Sequence, residues 1–269
     1  MTTLLRDVRP LFELKGRNYI ITGGGQGIGF AVVRAIAEYG GNLAVLDIRD
    51  KPVDEYNTLA AQYGVRTIYL KTDVSNEQSL TASFNRAVEF LGSVHGAFTS
   101  AGIAIDKPFI EQTWAEAQRI QDINVLGTFF TTQLVARQLL KQGTSGSIVQ
   151  VASITSHTVL PRHRMSAYNA SKGAVRMLTE ALGVELASDG IRVNSISPGF
   201  IDSEQTRVVR DKKSPEDSAI MDTAPPLSRI GNFNDLTGAV IYLLSDASAY
   251  TTGADIAITG GLHVGRIES

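Results

Sequence analysis

Tyr168 and Lys172 stand four positions apart in the stretch AYNASKGAVRML, whose apolar residues recur at helical spacing. A helix carries residues i and i+4 on one side, about 5 to 6 Å apart. An ammonium at that distance favours the ionised form of a phenol and makes Tyr168 a usable proton donor near neutral pH. On an ordinary surface helix the same pair only packs and extends its charged end into water. The chemical reading therefore needs support from other parts of the chain.

A second constellation lies near the start. YIITGGGQGIGFAVVRAI places Gly23, Gly27 and Gly29 between an apolar β-rich run and a helix that begins near Gly27. Glycines permit a tight turn and let backbone amides approach a pyrophosphate, which then sits on the positive end of the helix. Many strand-to-helix turns need a glycine merely for a positive φ. Asp47 adds weight, because it closes the second β-rich run 18 residues after Gly29, near the spacing of about 20 expected of an acid that binds ribose hydroxyls. Together they point to a dinucleotide site.

The elements that must hold these residues are legible as an alternation. Short β-rich runs at 18–22, 42–47, 66–72, 96–100, 147–153, 192–197 and 254–259 are separated by longer helical patterns. Several are continuous apolar runs, as strands are when helices cover both faces of a parallel sheet. The expected fold is α/β, a single Rossmann-like doubly wound domain with a seven-stranded parallel sheet flanked by helices, spanning 14–269 after an N-terminal extension of 1–13. Residues 202–228 are polar, weakly periodic and contain Pro215, Pro225 and Pro226. A loop of that length in a compact domain is expected to be a lid.

Composition narrows the function classes. The chain has 269 residues, 43% hydrophobic and 19% charged, with 25 Lys plus Arg against 27 acidic residues. No basic tract dominates, so no nucleic-acid partner is expected. Cysteine is absent and the four histidines lack metal-ligand spacing, so no metal is expected. No apolar run approaches the roughly 18 to 20 residues that span a bilayer, and the opening residues lack a secretory signal. An intracellular, cytoplasmic protein without membrane contact is the expectation.

Thr22-Gly23-x-x-x-Gly27-x-Gly29 together with Tyr168-x-x-x-Lys172 resembles the classical short-chain dehydrogenases/reductases, over nearly the whole chain from about residue 14. The resemblance implies a catalytic set of Asn124, Ser153, Tyr168 and Lys172. Tyr168 would be the acid/base and Lys172 would lower its pKa and hold the nicotinamide ribose. Ser153 would hydrogen-bond the substrate carbonyl, and Asn124 would seat a water linking Lys172 to solvent. Hydride transfer to a ketone develops charge on oxygen, which donors such as Ser153 and Tyr168 stabilise while the cofactor performs the redox step. The implied cofactor-binding residues are Gly23, Gln26, Gly27, Ile28, Gly29, Asp47, Ile48, Asp73, Val74, Ala101, Gly102, Tyr168, Lys172, Pro198, Gly199, Ile201 and Ser203. Asp47 favours NAD(H), since a carboxylate accepts ribose hydroxyls and repels a 2′-phosphate; Arg49, two residues on, leaves NADP(H) open.

Two positions depart from the family pattern. Thr99 and Ser100 stand where the family usually has two Asn before Ala101-Gly102, and Ser203 replaces the usual Thr after Pro198-Gly199. Within the family, the stretches around Tyr168 and Pro198 look most like fungal polyol/ketose dehydrogenases of the arabinitol, mannitol and sorbose type. The implied activity is hydride transfer between nicotinamide and a small-molecule secondary alcohol or ketone, a polyol or ketose. The competing readings are a ketoreductase of secondary metabolism acting on a bulky cyclic ketone, and a non-catalytic nucleotide-binding scaffold.

Two further expectations concern surfaces. The resemblance implies a homotetramer; apolar stripes at Val175, Leu178, Leu182 and Leu186, and at Phe129, Leu134 and Leu139, would form its interfaces or pack on the sheet. Ser153 and Tyr168 are 15 residues apart, longer than the family's commonest spacing. The intervening TVLPRHRMSAY should form a loop beside the reaction centre, its backbone fixed locally by Pro161. At least one of Arg162 and Arg164 is expected to face the pocket and bond substrate oxygens, the alternative being a solvated basic surface.

Overall fold

The computed structural model describes residues 7–160, 162–211 and 213–265; Pro161 lies outside them. Seven strands form one sheet: β1 (Asn18–Thr22), β2 (Asn42–Asp47), β3 (Thr67–Lys71), β4 (Gly96–Thr99), β5 (Gly146–Val151), β6 (Ile191–Pro198) and β7 (Asp255–Ile258). Their order is β3-β2-β1-β4-β5-β6-β7 and every pairing is parallel. The expected sheet is present, with the limits of β1 and β2 as expected and those of the other strands differing by one or two residues.

Both faces of each central strand are buried, which is why these runs are apolar throughout rather than alternating. Tyr19, Ile21, Leu43, Val45, Phe98 and Val149 point to one side. That side is covered by α1 (Gly27–Glu38), α2 (Tyr56–Tyr63) and α9 (Asn234–Leu244), through residues such as Val33, Ile36, Leu59 and Val240. Ile20, Ala44, Leu46, Ala97 and Ile148 point to the other. There α3 (Glu77–Leu91), α5 (Gly127–Gln142) and α6 (Ser166–Glu185) pack, with Phe84, Leu139 and Leu182 among the contacts. The leucine stripes at Leu134, Leu139, Leu182 and Leu186 therefore serve the sheet. Phe129 and Phe130 on α5 and Met177 on α6 are exposed instead.

The order in which strands are added across the sheet reverses between β1, which leads outward to β2 and β3, and β4, which leads to β5, β6 and β7. A doubly wound sheet opens a crevice at such a switch point, beyond the carboxyl ends of the strands. The Gly23–Gly29 turn follows β1 and Ala101-Gly102 follows β4, so both motifs meet there.

Residues 202–228 are not one loop. They contain two short helices, α7 (Glu204–Arg210) and α8 (Pro215–Thr223). Ser203 caps α7 by accepting the Thr206 amide, and Ser214 caps α8 by accepting the Asp217 amide. Pro215 at the first position of α8 and acids in both first turns suit helix starts. The remaining helix, α4 (Trp114–Ile120), begins with a Thr113–Glu116 capping box.

Candidate active site

The glycine turn is shaped by close approach. A Cβ on Gly23, whose φ is +68°, would lie 2.7 Å from the Ala101 backbone, and one on Gly29 would lie 2.0 Å from the Gly23 carbonyl oxygen. Neither position admits a side chain. Gly27, at φ +58°, opens α1 with no atom near its would-be Cβ, and Gln26 before it makes no capping bond to the helix. The first turn of α1 thus presents uncapped amides beside open space, the requirement for a diphosphate.

That space is a cleft of 860 Å³. Gly23, Gln26, Gly27, Ile28, Gly29, Asp47, Ile48, Asp73, Val74, Ala101, Gly102 and Ser203 line it, all of them expected as cofactor residues. Tyr168 and Lys172, expected at the nicotinamide ribose, are not among its lining residues, and neither are Pro198, Gly199 and Ile201. The last three shape the path out of β6: a Cβ on Gly199 would meet Thr259 at 2.8 Å, and Ile201 is buried and bridges to Gly231. Sequence reasoning missed the wall made by Gln118, Arg119 and Asp122 and the α7 residues Glu204 and Arg207. No local spacing announces a contact made by chain so far away.

Asp47 is buried and held by backbone: Oδ2 accepts the Gly25 amide at 2.8 Å and Oδ1 accepts the Arg49 amide at 3.0 Å. A carboxylate oxygen accepts more than one hydrogen bond, so the group is oriented by the turn and retains capacity for hydroxyls. The Arg49 side chain is turned toward the Gln26 amide oxygen. Asp73 accepts the Ser75 amide and hydroxyl at 2.9 and 2.6 Å, which shapes the turn after β3. Ser100, in place of a family Asn, ties β4 to β1 by donating its hydroxyl to the Thr22 carbonyl at 2.7 Å. Thr99 Oγ1 beside it is buried with no hydrogen-bond partner.

The four expected catalytic residues converge from three elements. Ser153 is buried just beyond β5, its Oγ accepting the Thr155 amide at 3.1 Å. Tyr168 and Lys172 share the first turns of α6, with the Lys172 Nζ 5.7 Å from the centre of the Tyr168 ring. Asn124 is fully buried in a π-helical segment, Gln121–Leu126, inserted between α4 and α5; such widened turns recur at functional sites. Its Nδ2 donates to the Ile103 carbonyl and the Ser171 hydroxyl, both at 3.0 Å, and its Oδ1 accepts the Ile103 amide at 2.9 Å. The Asn124 side chain thus binds the loop after β4 to α6. A Cβ on Gly102 would lie 3.2 Å from Asn124 Oδ1 and 3.7 Å from Lys172 Nζ, so these residues crowd one point.

The electrostatics correct one expectation. Burial pushes the Tyr168 phenol above its ordinary pKa, and the Ser153 hydroxyl is the group that opposes the rise. Lys172 does not supply the expected lowering. Its ammonium instead donates to the Val151 carbonyl at 2.7 Å, and burial brings its own pKa down from 10.5 to about 8.

A second cavity of 510 Å³ adjoins the first and shares Gln26, Gly102, Ile103 and Glu204 with it. Arg164 lines it, while Arg162 pairs with Asp217 of α8 at 2.8 Å. Of the two arginines expected beside the reaction centre, Arg164 borders this cavity, whose lining does not include Ser153 or Tyr168. No helix among the described residues is long and apolar enough to cross a membrane.

A family model described as Enoyl-(Acyl carrier protein) reductase matches residues 23–263. The sorbose reductase of Schizosaccharomyces pombe is 37% identical over 257 residues, covering 93% of this chain and 97% of that protein. Among solved structures, a short-chain type dehydrogenase/reductase from Mycobacterium marinum is 37% identical with a TM-score of 0.88, covering 95% of this chain and 99% of that one. The NADPH-dependent 3-quinuclidinone reductase from Rhodotorula rubra is 32% identical with a TM-score of 0.86, covering 97% of each chain. The glycine turn at the switch point and the assembled Ser153, Tyr168 and Lys172 agree with these matches, and the chain belongs to the short-chain dehydrogenase/reductase family of NAD(P)-dependent oxidoreductases.

Proposed function

We propose that this enzyme interconverts a polyol and its ketose, with Tyr168 as the proton donor and acceptor and NAD(H) as the preferred cofactor. The observation that carries the reading is the placement of Tyr168 and Lys172 on the first turns of α6, with Lys172 Nζ 5.7 Å from the Tyr168 ring and bonded to the Val151 carbonyl two residues before Ser153. The α1 amides and Asp47 would hold the diphosphate and a ribose, with Ile48, Asp73 and Val74 along the same cleft. The nicotinamide, when bound, supplies or accepts the hydride. Ser153 donates to the substrate oxygen and orients it. Tyr168 delivers its proton to that oxygen during reduction and removes it during oxidation. A phenol held above its ordinary pKa stays protonated at neutral pH, which suits reduction of the ketone. The sorbose reductase of S. pombe supports the substrate class. Incubation of the protein and either reduced cofactor with a panel of ketoses and cyclic ketones tests it: faster turnover of the cyclic ketones would transfer the reading to a ketoreductase of bulky substrates, and turnover of none would leave a scaffold.

Asp47 carries the cofactor preference, since its carboxylate repels a 2′-phosphate. Fluorescence titration is expected to give a lower Kd for NADH than for NADPH, and Asp47→Ser is expected to narrow the difference by about tenfold, the worth of a hydrogen bond to a charged group. Tighter NADPH binding by the unaltered protein would assign the preference to Arg49, as the NADPH-dependent relative from R. rubra would suggest. We also propose a homotetramer, for which the exposed Phe129, Phe130 and Met177 offer apolar surface. Light scattering at micromolar concentration should report four chains; a monomer would refute it.

A further inference from the structure

Asp106, in the loop after β4, joins three segments that no strand or helix connects. Its Oδ1 accepts the Arg164 amide at 3.0 Å, and its Oδ2 accepts the Lys213 ammonium at 2.7 Å. Lys213, between α7 and α8, also donates to the Arg162 carbonyl at 2.8 Å, and the Arg164 carbonyl accepts the Lys107 amide at 2.8 Å. Both backbone polar groups of Arg164 are therefore fixed by residues 106 and 107. The Asp106 and Lys213 side chains are 14% and 10% exposed, so this ion pair is shielded from water and from salt in a way surface pairs are not. Burial opposes the charge on Asp106, and the Lys213 ammonium with the Arg164 amide outweighs it, holding the carboxyl below its usual range.

The residue presented by this cluster is Arg164. It is exposed, it lines the second cavity beside Ile103, Ile105 and Val208, and among the described residues no carboxylate pairs with its guanidinium. Arg162 is spent on Asp217 and Lys213 on Asp106. Glu204 lines the same cavity. A wall with one unspent fork of donors, one carboxylate acceptor and apolar residues between them matches a polyhydroxylated carbon chain, whose hydroxyls both donate and accept. A free carboxylate on the substrate would meet Glu204 as well as Arg164 and gain less.

We propose that Arg164 is a specificity-determining residue that binds substrate hydroxyls, and that Asp106 is its positioning residue, which also ties it through Lys213 to the α7–α8 segment. The proposal rests on the polyol/ketose reading above. None of the three residues belongs to the expected catalytic or cofactor set, and all three line the second cavity.

The test is steady-state kinetics of the full chain with saturating reduced cofactor and two ketones: sorbose, and cyclohexanone, which offers a carbonyl without hydroxyls. Arg164→Gln is expected to lower the ratio of kcat/KM for sorbose over cyclohexanone by about tenfold, the loss of a hydrogen bond to a charged group, mainly through KM for sorbose. Asp106→Asn should lower the same ratio by a smaller factor, and the double variant should fall no further than Arg164→Gln alone, because the two act through one contact. Arg164→Lys should recover part of the ratio. An unchanged ratio in Arg164→Gln, equal losses on both ketones, or losses that multiply in the double variant would each overturn the proposal. Arg164→Gln alters an exposed side chain and decides the matter alone if Asp106→Asn does not fold. Failure of the underlying reading shows earlier and differently: the unaltered enzyme would then turn over neither ketone, or cyclohexanone alone.

Discussion

Tyr168→Phe is expected to lower kcat by about 10²- to 10⁴-fold, the usual worth of a positioned general acid, while the Kd for the reduced cofactor changes by less than about twofold. Only the hydroxyl is removed, and Tyr168 is not among the residues lining the 860 Å³ cleft where the dinucleotide is proposed to sit. Ser153 remains to donate to the substrate oxygen, so binding of the ketone should survive better than turnover. The pH dependence separates this role from a packing role. Because burial holds the phenol above its ordinary pKa, reduction should persist through neutral pH and alcohol oxidation should accelerate as pH rises and the phenolate forms. A variant that keeps kcat within tenfold of the unaltered enzyme, about 1.4 kcal/mol of barrier, would remove Tyr168 from the chemistry.

Lys172→Met is expected to abolish measurable turnover and at the same time to raise stability at pH 7. The lysine is nearly fully buried, and its pKa falls from 10.5 to about 8, a difference of about 3 kcal/mol between its two protonation states. Below pH 8 the fold carries that cost in full. Between about pH 8 and 10.5 the folded chain sheds its proton before the unfolded chain does, so stability rises with pH across that window. Methionine removes the cost and fills similar volume, but it leaves the Val151 carbonyl without its donor, returning about 1 kcal/mol. The net gain expected is about 1 to 2 kcal/mol, or several degrees in Tm for a chain of this size. Denaturation of both proteins at pH 7 and pH 10 checks it. A Lys172→Met protein that is less stable at pH 7, with no narrowing of the gap at pH 10, would mean that the buried charge costs the fold nothing.

The strands are readable because each is a short β-rich run; burial on both faces removes the alternation that marks a half-exposed strand, and run length and composition separate them from buried helix. The glycine turn was readable for a related reason: Gly23 and Gly29 have no room for a Cβ, and steric exclusion of that kind leaves a direct mark on residue type. Asp47 stood out by its distance from the turn, though its bonds to the Gly25 and Arg49 amides were not foreseen.

What stayed hidden depends on distance along the chain or on subtle backbone geometry. The π-helical segment around Asn124 carries no periodicity of its own across six residues. The α7–α8 segment reads as a loop because neither helix is long enough to establish a period, although Ser203 and Ser214-Pro215-Glu216-Asp217 are sound helix starts. Asp106 and Lys213 are separated by 107 positions, and nothing local to either announces the pair. The lowering of the Tyr168 pKa by Lys172 is what i,i+4 proximity and the family resemblance both imply. Burial, which proximity does not report, reverses its direction.

The central claim is that a hydride passes between nicotinamide and the carbon of a ketose while Tyr168 supplies the proton. Its most direct test mixes the enzyme with a reduced cofactor carrying deuterium at the transferable ring position and with sorbose, and locates the label by NMR. Expected is one deuterium on the former carbonyl carbon for each cofactor oxidised, with transfer by Tyr168→Phe slowed by about 10²-fold or more. Cofactor that binds to the protein but passes no label to the sugar, or label transferred equally fast by Tyr168→Phe, would contradict it.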